Sequence, residues 1–144
     1  MIKRISAIAI GVKDVDSAAE AAMKLLGAEK QLEYELAEVG IKKAIALRIG
    51  NIIYELIQPS EVESPLKKFI ETRGEGIFQI AVHSDDIDEE VRSLEKKGAR
   101  VSKMEIDKER NIVSGYISPR SLNGVMVEIT SEQSWPYNIL PPLI

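Results

Sequence analysis

An α+β fold made of two βαβββ modules is predicted for this chain, and three features predict it. The stretch IAIGVKDVD, starting at Ile8, returns as IAVHSDDID, starting at Ile80, a period of about 72 residues. Each copy runs from an alternating strand into a helix that opens with an aspartate. Three strand-like runs follow each helix, and the last of each set matches its twin, IIYELI against VMVEIT, placing Glu55 opposite Glu128. The period is too long for a solenoid unit and suits a tandem duplication.

The elements follow in order. In the first module Ile5 to Val12 alternates as a strand, and Asp14 or Asp16 can cap a helix that runs to Leu26 and stops at Gly27. Strands are expected over Gln31 to Val39, Lys42 to Arg48 and Ile52 to Ile57, the last two joined at Gly50-Asn51. Ser64-Pro65 opens a short helix, since proline is tolerated in a first turn, and RGEG then makes a joint. The second module repeats the plan. Phe78 to His83 is a strand, Asp86 caps a helix striped by Ile87, Val91 and Leu94, and Gly98 ends it. Strands over Arg100 to Glu105, Ile112 to Ile117 and Gly124 to Thr130 close the module, with Asn123-Gly124 as the turn. The expected organisation is one domain over 1–144: module one 3–60, a linker helix within 61–76, module two 77–131 and a tail 132–144.

Composition narrows the function classes. The net charge of -4 and the absence of a basic stripe argue against nucleic acid as a partner. With no cysteine, thiolate chemistry, disulfides and Cys-ligated metals are excluded. No run reaches the 18 or so apolar residues of a membrane span, and the start lacks the pattern of a signal peptide, so a cytoplasmic protein with no membrane partner is expected. The tail, with Trp135 and Pro136, Pro141 and Pro142, is apolar and cannot form a regular helix. It is expected to strap its own domain or to reach a second subunit, and a homodimer is the favoured reading.

Alternation then assigns faces. Ile8, Ile10 and Val12, with Ile80 and Val82 in the twin strand, take the helix-covered face. Ala7, Ala9 and Gly11, with Gln79, Ala81 and His83, take the other. Met126, Glu128 and Thr130, and likewise Ile53, Glu55 and Ile57, share that second face. A carboxylate inside an apolar strand is costly unless a partner, water or metal compensates it. For one glutamate alone, a solvent-exposed sheet face is the simpler explanation. Two at matching repeat positions favour a polar centre on the concave side of a curved sheet.

RGEGIFQIAVHSDDIDEEVRSLEKKGARV, with GNIIYELIQP and SPRSLNGVMVEI, resembles the vicinal oxygen chelate superfamily of glyoxalase, bleomycin-resistance and extradiol dioxygenase relatives, and within it the methylmalonyl-CoA epimerases. The resemblance covers residues 3 to 131 or so. It implies a glyoxalase-like open, cup-shaped mixed sheet around a divalent metal, with ligands from the first and last strand of each module. It places imidazoles at Ala7 and Gln79, a Glu or Gln ligand at Glu55 and a Glu at Glu128. Both imidazoles are absent here.

The implied site is therefore Glu55, Gln79 and Glu128, with Ala7 at the lost fourth position: a weak, oxygen-rich site suited to Mg, Mn or Ca rather than Zn, or no metal at all. Glu128 and Glu55 are the candidate catalytic residues for proton transfer next to the carbonyl of an acyl-CoA or a small oxo or carboxylate substrate. The competing readings are a non-catalytic small-molecule binding protein of the bleomycin-resistance type and a structural or regulatory subunit. His83 is about 13 Å along the strand from Gln79 and is expected at the rim. Lys43, Arg48, Tyr116 and Arg120 are further polar positions that could meet an anionic ligand.

Overall fold

A computed structural model of the chain describes residues 1–107 and 112–131. The tail 132–144, with its expected strap or dimer role, lies outside the described residues. The described elements are β1 (Ile2–Gly11), α1 (Val15–Leu26), β2 (Glu29–Leu36), β3 (Ile41–Ile49), β4 (Ile52–Pro59), α2 (Pro65–Arg73), β5 (Gly76–Ser84), α3 (Ile87–Lys96), β6 (Val101–Asp107), β7 (Ile112–Ile117) and β8 (Met126–Thr130). This is the α+β arrangement of two βαβββ runs, with α2 between them. The chain divides into two compact units, one of Ile8–Phe78 and one that joins Met1–Ala7 to the chain from Gln79 on. The divisions fall inside β1 and β5.

In the unit of Ile8–Phe78, β2, β3 and β4 run antiparallel in that order. Asp14 caps α1 by accepting from Ser17 N, and Gly27 ends the helix at φ 66°. A side chain that accepts from an otherwise orphaned N–H in the first turn is worth about 1 kcal/mol. Gln58 adds a second acceptor, its Oε1 taking the N–H of Val15 at 3.0 Å. The core forms from Val12, Val15, Ala19, Ala22, Ile45, Leu47 and Leu56, with Ile10 and Tyr54 packed against it. That is the helix-covered face assigned by alternation. Ser64 caps α2 with Pro65 in the first turn. The following joint is held in place: Glu75 Oε2 accepts from Lys13 N at 2.9 Å. β2 ends sooner than expected, at Leu36, because residues 37–39 form a 3-10 turn closed by Gly40 at φ 74°. A Cβ on Gly40 would stand 2.6 Å from Ser64 Cβ, so only glycine fits there.

In the other unit the order is β5-β8-β7-β6, with β5 and β8 parallel and the remaining pairs antiparallel, a mixed ladder. Asp86 caps α3 by accepting from Glu89 N. Val82, Ile117, Val127 and Ile129 meet Ile80, Ile87, Val91 and Leu94 in the core beneath that helix. Gly115 makes the close approach possible, since a Cβ there would lie 3.0 Å from Val91 Cγ2. The expected tight hairpin at Asn123-Gly124 is longer than two residues. Both take positive φ, 54° and 89°, but β8 begins only at Met126 and residues 119–121 form a 3-10 turn. Pro119 starts that turn and Ser118 caps it, which explains the longer loop.

Candidate functional site

Register builds the polar face of β5, β8 and β7 from single residues. Ala81 pairs with Glu128 across the parallel ladder, and Tyr116 pairs with Glu128 across the antiparallel one. Side chains of directly paired residues share a face. Gln79, two residues before Ala81, lies on that face too. Glu128 is buried, 6% exposed as a residue. Its Oε2 accepts from Tyr116 Oη at 3.1 Å and from Gln79 Nε2 at 3.4 Å. Ala7, the other sequence-predicted position in this unit, is buried and carries no donor atom. The structure therefore brings Glu128 and Gln79 together and adds Tyr116, which the sequence marked only as a polar position.

Glu55 belongs to the other unit. It pairs with Ala46 on β3 and is likewise 6% exposed, with Oε1 accepting from the hydroxyl of Tyr34. Each unit thus holds a buried carboxylate hydrogen-bonded by a phenol. The phenols are not repeat equivalents. Tyr116 stands on the strand beside its glutamate, whereas Tyr34 reaches from β2, two strands away from β4. Tyr34 escaped the sequence reading because nothing in a one-dimensional pattern signals a reach across an intervening alanine. On the intervening strand Tyr34 pairs with Ala44 and Glu55 pairs with Ala46, both small residues.

His83 is not a rim residue. It is 1% exposed, pairs with Thr130, and its Nδ1 accepts from Arg4 Nε at 3.4 Å. Burial follows from the strand continuing to Ser84, one residue past the expected end. Of the other polar positions, Lys43 Nζ pairs with Asp16 at 2.7 Å and Arg48 with Glu29 at 3.4 Å. Both are surface ion pairs. Arg120 lies on the loop after β7.

As placed, the donors around Glu128 offer a divalent metal at most a weak, incomplete site. A cation of this kind takes several oxygen ligands, and here one carboxylate oxygen already receives an N–H and an O–H. Among the described residues no three His, Cys, Asp or Glu side chains cluster as a metal-binding group. What the trio can do is hold one carboxylate in a fixed orientation, with Tyr116 and Gln79 donating to the same oxygen.

A mixed strand ladder of this kind and two βαβββ runs define a known class. The chain belongs to the glyoxalase/bleomycin resistance protein/dioxygenase superfamily, whose family model matches residues 7–114. Human mitochondrial methylmalonyl-CoA epimerase is 28% identical over 130 residues, 88% of this chain and 72% of that protein. The ethylmalonyl-CoA/methylmalonyl-CoA epimerase of Cereibacter sphaeroides is 30% identical over 133 residues, 90% of this chain and 98% of the relative. Among solved structures, methylmalonyl-CoA epimerase from Mycobacterium tuberculosis superposes with a TM-score of 0.82 at 26% identity, over 90% of this chain and 88% of that one. A Streptomyces coelicolor methylmalonyl-CoA epimerase in complex with 2-nitronate-propionyl-CoA shares the fold, at a TM-score of 0.83 and 23% identity over 91% and 98% of the two chains.

Proposed function

We propose that this protein moves a proton next to the carbonyl of an acyl-CoA, as an epimerase-like member of its superfamily, with Glu128 as the base. The observation that carries the reading is the buried Glu128 carboxylate, oriented by Tyr116 and Gln79. Relatives named as acyl-CoA epimerases support the substrate class.

The step is a general-base transfer. Glu128 takes the proton from the carbon beside the thioester carbonyl, and the electron pair of that C–H bond moves onto the carbonyl oxygen as an enolate. Return of a proton to the opposite face inverts the centre. Glu55, the repeat-equivalent carboxylate, is the candidate second proton carrier. A degenerate metal site is part of the proposal: any divalent ion taken up would be a weakly held, oxygen-preferring Mg, Mn or Ca. Homodimerisation and a cytoplasmic location complete the reading; among the described residues no helix is long and apolar enough to cross a membrane.

A second reading, non-catalytic capture of a small molecule, is favoured by one observation: Ala7 and Gln79 stand where the resemblance places imidazoles. Hydrogen–deuterium exchange at C2 of methylmalonyl-CoA separates the two. The epimerase reading expects exchange that Glu128→Gln removes; the capture reading expects binding with no exchange in either protein.

A further inference from the structure

Away from Glu128, a second feature of the same unit collects positive charge. The turn after α3 and the 3-10 turn after β7 face each other across an open notch of about 430 Å³, lined by Lys97, Gly98, Ala99, Arg100, Arg120 and Ser121. Backbone bonds fix its walls. Arg100 N donates to Ser121 Oγ at 3.0 Å, and Ser118 N donates to Arg100 O at 2.8 Å. Because Ser121 Oγ serves as an acceptor there, its own O–H remains available to donate.

Three cations converge on this notch in a chain whose net charge is -4. Elsewhere on the surface Lys43, Arg48, Lys67 and Lys103 each face a carboxylate, while Lys13, Lys24, Lys42, Lys68 and Lys96 make no ion pair among the described residues, so the mark of the notch is that three such cations line one place. Among the described residues neither Lys97, Arg100 nor Arg120 has an acid within ion-pair distance. The end of a helix accounts for one of them, since a cation complements the exposed carbonyls of a last turn. Yet three of those carbonyls already have donors: the N–H groups of Lys97, Gly98 and Ala99 donate to Ser93, Leu94 and Glu95. Arg100 and Arg120, brought in from two different elements, have no such explanation.

We propose that this notch binds a phosphomonoester dianion. Two guanidinium forks match phosphate oxygens in pairs, an ammonium adds a point charge, and a serine hydroxyl adds a neutral donor. A carboxylate carries one charge and two oxygens, whereas a phosphomonoester offers up to two charges and three terminal oxygens to the three cations. The size suits one phosphate group and part of what carries it. The site goes beyond the proton-transfer reading and needs no turnover to be detected. Two sources offer the same chemistry: the ribose 3′-phosphate of a coenzyme A thioester and a phosphate unconnected with coenzyme A.

The test is titration of the full-length protein with inorganic phosphate, coenzyme A and dephospho-coenzyme A, followed by amide chemical shifts in NMR and by calorimetry. Inorganic phosphate is expected to shift the amides of 97–100 and 120–121 in a saturable way. Those shifts should vanish in Arg100→Gln/Arg120→Gln, whose exposed positions leave the fold intact by the rest of the spectrum; Lys97→Gln serves as a milder second variant expected to weaken them. If coenzyme A binds about tenfold more tightly than its dephospho form, and the ratio collapses in the double variant, the coenzyme is the source. Equal binding of the two coenzymes with the phosphate shifts retained assigns the notch to another phosphate. Absence of any saturable shift in the wild type, or shifts that survive the double variant, would overturn the proposal.

Discussion

Tyr116 and Glu128 face each other directly across the β7–β8 ladder, and the tyrosine hydroxyl donates to Glu128 Oε2 at 3.1 Å. The glutamate thus meets a donor from its antiparallel neighbour on one side, while Gln79 approaches from β5, its parallel neighbour, on the other. Orientation rather than metal ligation is the role this geometry supports. Tyr116→Phe is expected to slow C2 proton exchange about tenfold, the effect of losing a hydrogen bond to a charged group of about 1.5 kcal/mol. Exchange rates at saturating substrate measure it, and an unchanged rate would remove Tyr116 from the account.

Packing sets a second expectation. Gly115 gives Val91 of α3 room to approach the sheet, with only 3.0 Å to an added Cβ. Gly115→Val should therefore cost about 1–3 kcal/mol through overpacking, read as a lowered urea midpoint with an unchanged slope.

Acid stability supplies a third. The Lys103 ammonium, hydrogen-bonded to Asp88, holds that carboxyl below its ordinary 3.8. A carboxyl depressed in the folded state adds stability above its unfolded value and loses it as pH falls through the folded one. Lys103→Met should therefore lower stability at neutral pH, by an amount that solvent screening of the exposed pair keeps small, and this difference from wild type should vanish below about pH 4, which flattens the acid decline. Urea titrations at several acidic pH values check the slope. A variant with the same acid slope as wild type would contradict the assignment.

Metal content supplies a fourth. With no imidazole at Ala7 or Gln79 and Glu128 Oε2 engaged by two donors, the purified protein is expected to bind zinc no more tightly than Glu128→Ala does. Calorimetric titration with zinc and magnesium tests this. Tight zinc binding that depends on Glu128 would show that the residues rearrange into a site.

Much of this was readable from side-chain order alone. Alternation put Gln79 and Glu128 on one face and Val82, Val127 and Ile129 on the other, because burial under a helix forces one strand face to be apolar. Asp86, and Asp14 as one of two candidates with Asp16, were readable as caps, and Ser64-Pro65 as a helix start, for a similarly local reason: Asp14, Ser64 and Asp86 each accept from an N–H three residues on. What escaped were contacts made across strands. Tyr34 on β2 meets Glu55 on β4, two strands away, and His83 meets Arg4, 79 residues earlier. The cationic notch likewise joins residues from two loops, where neither hydrophobic period nor capping leaves a trace.

The central claim is that Glu128 takes a proton from carbon. Incubation of methylmalonyl-CoA in deuterated water, with C2 deuterium read by mass spectrometry, tests it most directly. Enzyme-dependent incorporation that falls by a hundredfold or more, about the contribution of a positioned base, in a folded Glu128→Gln variant is the predicted result. Incorporation that is absent from the wild type, or undiminished in the variant, would contradict it.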